Sequence, residues 1–360
     1  MGRTGYTDLP LHGGKAPYWL FSRMVKLARE IVSLIVLEFG KDEFLRKISD
    51  PFWFQAFGAV LGFDWHSSGL TTTVCGAVKE GLKPIEKELG IFVAGGKGAA
   101  SRKTPDNILA KSKYLSVSPQ KLIYSSKIVA KVDNVALQDG YNLYQHTFIF
   151  TDSGKWAVVQ QGMNHFNKYA RRYHWLSDTV KSFVVEPHTA ICCDQKSDVL
   201  NLVAKESESA RNTTTLIARE KPDKIITELK KVQHIVLPHH HFVDVKDINP
   251  DRLYKIYLTT YEKQPDNFEQ LISIQGLGPK SMRALALISE LVYGSKPSYN
   301  DPVRYSFAHG GKDGHPYPVN REVYDKTVDV LNSVVNKIKV DFSEKKKALY
   351  RLYKFYNNDN

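Results

Sequence analysis

Cysteine is scarce in this sequence, and the three present, Cys75, Cys192 and Cys193, leave two adjacent and one alone. No Cys-x-x-Cys pair is available to build a zinc cage, and an odd count argues against a disulfide framework, so a reducing, intracellular setting is expected. Long apolar runs are also lacking. "IVSLIVLEF", from Ile31 to Phe39, is broken by Ser33 and Glu38 and falls far short of the ~20 residues that cross a bilayer. The opening "MGRTGYTDLPLHGG" has no apolar centre of the kind a secretion signal requires. The expectation is a cytoplasmic protein with no membrane span. Acidic residues are in deficit: 38 Asp and Glu face 50 Lys and Arg, a formal net charge of +12. That balance favours polyanionic partners, nucleic acid or an acidic membrane surface. No internal repeat is present, which removes solenoids and propellers.

What is present is enough for proper cores. Over 360 residues, 42% are hydrophobic and 11% aromatic, the profile of a globular rather than a disordered chain. Residues 17 to 62 read as helical, with Trp19, Met24, Leu27, Ile31, Leu34 and Ile35 recurring at threes and fours, Gly40 as a stop and Pro51 opening a further helix. A helix over 71–89, a strand "IFVA" and a helix from Ser118-Pro119 follow. The period then changes to two: "YNLYQHTFIFTD" and "KWAVVQQG" flank Ser153-Gly154 as a hairpin, with "KSFVVEPHTAICC" as its third strand. A helix over 198–219 and the Lys-rich "EKPDKIITELKK" lead to "HIVLPHHHFVDVKDINP", a surface connection whose histidines are read as incidental rather than as a zinc site. The fold expected is α+β: a mixed body over 1–240, with an N-terminal helical layer and a small antiparallel sheet, then a helical C-terminal module over 241–360.

That last module contains "ISIQGLGPKSMRALALI". Asp266 is placed to cap a first helix, Gly276 and Gly278 bracket Leu277 in a tight turn, and Pro279 suits the first position of a second helix. Backbone amides, the positive end of that second helix and Lys280 together make a phosphate-sized site. The pattern resembles the helix-hairpin-helix motif, a clamp on DNA backbone that does not read sequence. DNA is therefore the expected partner. Two other basic segments extend the footprint: "GGKGAASRKTP" puts Lys97, Arg102 and Lys103 on a loop, and "NKYARRYHW" interleaves Arg171 and Arg172 with rings that could stack on bases. An aromatic core face with solvated arginines is the competing reading of the second.

Chemistry-bearing side chains gather earlier in the chain. "GFDWHSSG" offers Asp64 and His66 at a break between two helices. Asp139, Tyr144, His146, Gln160 and Gln161 fall at the ends of the expected hairpin, and "VVEPHTAICCD" adds Glu186, His188 and Asp194. Oxygen-rich groups of this kind hold Mg2+ or Mn2+ and activate water. Asp64, His66 and Asp139 are the expected metal ligands, Glu186 joins them in the catalytic set, and Gln161 and Lys97 steady the scissile phosphate.

The strings "HSSGLTTTVCGAVKEGL", "VAGGKGAASRKTP", "LQDGYNLYQHTFIFTDSGKWAVVQQGMN", "ARRYHWLS" and "YSFAHGGKDGHPYPV", in that order over nearly the full length, resemble a prokaryotic family catalogued as a domain of unknown function. The resemblance implies a role in DNA processing as a nuclease, in thermophilic microbes, without supplying catalytic residues. The expected function is a structure-specific, metal-dependent DNA endonuclease acting in DNA repair on junctions, bubbles or damaged sites; a homodimer is an allowed assembly. The alternatives are a non-catalytic DNA-binding protein and a glycosylase or lyase using Lys280 and Asp301. For the latter, helix-hairpin-helix glycosylases carry an aspartate downstream of the hairpin, but this chain has Asn300-Asp301-Pro302 where they show a Val-Asp-Thr-His type sequence.

Overall fold

Asp50 shows how closely local chemistry sets the helices at the start of the chain. Its carboxylate accepts from the amides of Phe52 and Trp53 at 2.8 and 3.0 Å, while Pro51 fills the next position, where an amide would have no partner. In this computed structural model, which describes residues 16–63, 68–166, 169–193, 195–232, 250–303, 321–339 and 341–357, the N-terminal layer is α1 (Tyr18–Phe39), α2 (Lys41–Ser49), α3 (Pro51–Leu61) and α4 (Gly69–Leu82). Gly40, at φ +88°, ends α1 where the spacing predicts a stop. Helices α1 and α4 approach so closely that a Cβ on Gly81 would meet Val25 O at 2.8 Å.

Three short helices, α5 (Glu86–Leu89), α6 (Ala99–Arg102) and α7 (Thr104–Leu109), surround β1 (Ile91–Lys97). Helix α8 (Pro119–Lys131) widens at its end into a π turn over Val132–Ala136 and runs into β2 (Leu137–Gln138). The expected hairpin is formed by β3 (Asn142–Thr151) and β4 (Trp156–Met163). Its neighbour is not "KSFVVEPHTAICC" but β5 (Ala170–Leu176), the "ARRYHWL" segment, and only the end of the expected third strand pairs, as β6 (Ala190–Cys192). The result is a five-stranded antiparallel sheet in the order β1-β3-β4-β5-β6.

The helix expected over 198–219 is shorter than its pattern. Leu200–Asn201 instead form β7, which pairs with β2, and α9 spans Glu208–Ala218. Asn201 Oδ1 accepts from the amides of Val203 and Ala204, at 3.2 and 3.0 Å, offering the backbone a turn in place of a helix. The remaining helices are α10 (Pro222–Val232), α11 (Pro250–Lys263), α12 (Phe268–Ser273), α13 (Pro279–Leu291), α14 (Arg321–Lys337) and α15 (Phe342–Asn357).

The sheet is covered on both faces, and the two cores divide the strands by their period of two. Ile91, Val93, Ile149, Ala157, Val159 and Leu176 pack with α1–α4, α14 and α15. Phe92, Phe148, Phe150, Trp156, Val158, Tyr173 and Trp175 face the other way, towards α8–α13. Each such large apolar side chain contributes roughly 1.5–3 kcal/mol on burial. The expected α+β class and small antiparallel sheet are thus present. Residues 233–249, around the domain boundary expected near 240, lie outside the described residues, as does the histidine-rich connection. On either side of that interval, Ile225 and Leu229 of α10 share one core with Leu253 and Tyr257 of α11. Leu331 of α14 and Leu352 of α15 belong to the opposite core. Among the described residues, no helix is long and apolar enough to cross a membrane.

Candidate functional site

The turn between α12 and α13 combines several features that a lone helix end lacks. Asn267, rather than the expected Asp266, caps α12: its Oδ1 accepts from the Gln270 amide at 2.9 Å, while the Asp266 amide donates to Gln270 Oε1. Gly276 has φ +89°, and a Cβ there would sit 2.9 Å from Ile256 Cδ1, so the turn requires glycine. Gly278 stands at the N-terminus of α13 with no side-chain cap, followed by Pro279. Lys280 is exposed beside them. Leu271, Ile274, Leu277, Met282 and Leu285 are buried beneath. On the inner side, Lys131 Nζ donates to the carbonyls of Ile274 and Leu277 at 3.1 and 2.5 Å, and burial pulls its pKa down. Gln138 Nε2 donates to Pro279 O at 2.9 Å, and Arg283 Nε donates to Gln138 Oε1 at 2.9 Å. The carbonyls of Ile274, Leu277 and Pro279 are thus held by the protein, and among the described residues no side chain caps the N-terminus of α13.

The other basic segments differ from each other. Lys97, Arg102 and Lys103 are exposed as expected, but Lys97 ends β1, Arg102 ends α6 and only Lys103 lies in a turn, between α6 and α7. Arg171 and Arg172 are not available to DNA: both are buried, as are Tyr173, His174 and Trp175 between them and the end of β5. The competing reading, a core face with solvated arginines, holds for the rings alone, since the arginines are in the core with them.

Strand alternation separates the residues expected to converge. Gln161 Nε2 donates to Ser68 O at 2.8 Å and to the Tyr144 hydroxyl, over whose ring Lys97 Nζ lies at 5.9 Å. This group sits on the α1–α4 side of the sheet. Asp64, His66 and Asp194 lie outside the described residues. Asp139 is on the opposite side, where its Oδ2 accepts from Arg171 Nη1 at 3.0 Å and the Tyr173 hydroxyl at 2.6 Å, and its Oδ1 accepts from the Tyr141 amide. Burial raises the Asp139 pKa over the opposing pull of Arg171 and Tyr173. With both oxygens occupied by donors, Asp139 does not fit a metal ion. Among the described residues, no group of three or more His, Cys, Asp or Glu is arranged to hold one.

Arg171 links that carboxylate to a cavity. Its Nη2 donates to Asp301 Oδ2 at 2.7 Å, and its guanidinium lies 4.5 Å from the centre of the Tyr141 ring. Burial opposes the charge on Arg171, but its acidic neighbours, Asp139 foremost and Asp301 among them, together outweigh it, and the pKa stands well above its ordinary value. Asp301 also accepts from the amides of Ser197 and Val303. It is one wall of a cavity of about 350 Å³ that Glu186, His188, Lys196, Glu206 and Asn300 also line. Glu186 holds an uncommon backbone conformation for a side-chain-bearing residue, φ +43°.

His188 is oriented from behind. Asp133, on the π turn, accepts from His188 Nε2, from Gln160 Nε2 at 2.5 Å and from Trp175 Nε1 at 2.9 Å. Gln160 Oε1 in turn meets His146 Nδ1 at 2.7 Å, and His146 Nε2 meets Ser126 Oγ at 2.9 Å. Burial lowers the His146 pKa, so this ring is neutral near pH 7. Sequence reasoning missed Asp133. Its signal was a carboxylate inside the apolar helical run Val129, Val132, Val135 and Ala136, where only a satisfied acid can be buried.

The chain belongs to the family described as "Protein of unknown function (DUF763)", whose model matches residues 5–319. No curated protein and no solved structure matches it.

Proposed function

We propose that this protein grips the backbone of DNA at the turn between α12 and α13, in the manner of a helix-hairpin-helix, and acts on the DNA it holds. The observation that carries the reading is the turn itself: Gly276 at positive φ, Gly278 without a side-chain cap, Pro279 at the start of α13 and Lys280 exposed beside it. Phosphate oxygens are strong acceptors that match such amides and the positive end of a helix. A net charge of +12 adds the long-range attraction that a polyanion needs.

Strand cleavage assisted by Mg2+ or Mn2+, on junctions, bubbles or damaged sites, is the chemistry proposed for the bound DNA. Asp139 is left out of the metal set because its oxygens are filled, which leaves Asp64 and His66 as the nominated ligands. Glycosylase chemistry through Lys280 and Asp301 is less well supported, because Asp301 is already bonded to Arg171 and to two backbone amides.

Lys280→Glu tests the grip. Affinity for every duplex should drop about tenfold at low salt, and the salt dependence should lose roughly one phosphate contact; unchanged affinity would sink the reading. Cleavage of labelled bubble, flap and duplex DNA with EDTA, Mg2+ or Mn2+ tests the chemistry. Strand scission should require the metal and should be lost in Asp64→Ala. Binding without scission under every condition would leave a DNA-binding protein and no nuclease.

A further inference from the structure

The cavity that Glu186, His188 and Asp301 line is tied to the α12–α13 turn through one residue. Gln138 donates to Pro279 O at the turn, and it is the β-ribbon partner of Leu200. The residue after Leu200, Asn201, lines the cavity. The two sites nevertheless differ in what they attract. The turn offers amides and a lysine. The cavity wall carries Glu186, Glu206 and Asp301, and among its described lining residues Lys196 is the single Lys or Arg. Arg171, behind the wall, is already divided between Asp139 and Asp301. A phosphate drawn to the turn is repelled from the cavity, so the part of a DNA chain that suits the cavity is the uncharged part.

We propose that the cavity receives an unpaired nucleoside from DNA held at the α12–α13 turn. This rests on the DNA-binding reading above and adds a ligand class to it. The lining matches a flat heterocycle with mixed donors and acceptors. Carboxylates of Glu186 and Glu206 accept from ring or amino N–H groups. The Asn300 side chain bonds to Glu206 within the wall and keeps its carbonyl oxygen as an acceptor. Thr189 Oγ1, in the same wall, is buried without a hydrogen-bond partner. Asp133 holds His188 through Nε2, which leaves Nδ1 as the ring nitrogen for a ligand. Ala190, Ile191, Val203 and Val303 supply the apolar walls, and no Phe, Tyr or Trp is among the described residues that line the cavity.

That last point gives the test a sign. A 2-aminopurine base is quenched by stacking, and a base lodged among aliphatic walls and amides brightens. Bubble DNA with 2-aminopurine in its single-stranded segment and a rhodamine on its duplex arm reports both events on one complex: anisotropy for the grip and 2-aminopurine emission for the cavity. Saturating wild-type protein should raise anisotropy and increase 2-aminopurine emission severalfold. Ala204→Phe, which fills the cavity from its wall, and Glu186→Gln, at an exposed side chain, should keep the anisotropy change and lose most of the emission gain. Lys280→Glu should move both signals together to about tenfold higher protein concentration. An anisotropy change with no emission gain in the wild type, or a gain that survives in both cavity variants, overturns the cavity proposal and leaves the grip standing. No anisotropy change at all overturns the DNA reading on which it rests.

Discussion

Arg171 and Arg172 are neighbours in sequence, both are buried, and each guanidinium lies 4.5 Å from a ring centre, Tyr141 for one and Phe54 for the other. They point to opposite faces of β5, and the two faces handle a buried cation differently. Arg171 bridges two carboxylates, Asp139 at 3.0 Å and Asp301 at 2.7 Å. Among the described residues, Arg172 bonds to neutral groups: His174 Nε2 at 2.8 Å, Gln55 Oε1 at 3.3 Å and Thr71 Oγ1 at 3.5 Å. One face neutralises charge and joins the sheet to the cavity wall through Asp301. On the other, the described groups that meet it are dipoles and an aromatic ring between the sheet and α3 and α4.

The largest effect expected from this difference is on stability. Arg171→Met would leave two buried carboxylates facing each other and should cost about 3–5 kcal/mol, read from the denaturant midpoint. Arg172→Met removes donors from neutral acceptors and should cost about 1–3 kcal/mol. Adding Asp139→Asn and Asp301→Asn to Arg171→Met should recover part of its loss; equal costs for the two single variants would break the comparison.

A pH titration sharpens it. Burial lowers the pKa of His146 on the Arg171 face. Burial together with the Arg172 charge lowers that of His174 well below the ordinary 6.5. Between the folded and unfolded values the unfolded chain binds more protons, so the stability these rings contribute is full above about pH 6.5 and is lost as pH falls. The slope per ring is up to about 1.4 kcal/mol per pH unit. His174 should carry the loss to lower pH than His146. In His174→Gln the slope of unfolding free energy against pH between 6.5 and 5 should flatten by up to one proton, measured by urea titrations at each pH.

Smaller still is the contrast between the two residues that open α12. Asn267→Ala should cost about 1 kcal/mol through loss of its bond to the Gln270 amide. Asp266→Ala should stay within about 0.5 kcal/mol. A reversal of that order would return the cap to Asp266.

These pairs also explain what could be read from the sequence. The helices at both ends and the β3–β4 hairpin have one dominant period each, so their apolar spacing was enough. The α12–α13 turn was legible because Gly276, Gly278 and Pro279 have few alternative uses. Strand β5 was hidden because a strand covered on both faces need not alternate apolar and polar residues, and its arginines imitated a surface. Two members of the candidate catalytic set are parted for a related reason. Proximity in sequence placed Asp139 and Gln161 together, but strand alternation sent Gln161 to Ser68 and left Asp139 with Arg171. Asp133 and the cavity depend on segments far apart in the chain, and no local pattern announces them.

Strand β1 has a consequence for self-association. A strand at the border of a sheet is an open template for a second copy. Here, at Gly95, the template is closed: its amide donates to Asn107 Oδ1 at 3.2 Å, and its carbonyl accepts from Lys79 Nζ at 2.6 Å. A Cβ there would come within 2.7 Å of Thr104 Oγ1, so α7 sits flush against the strand. The opposite border, β6, is a strand of three residues. A second copy of this protein is therefore blocked at Gly95 from continuing the sheet through β1.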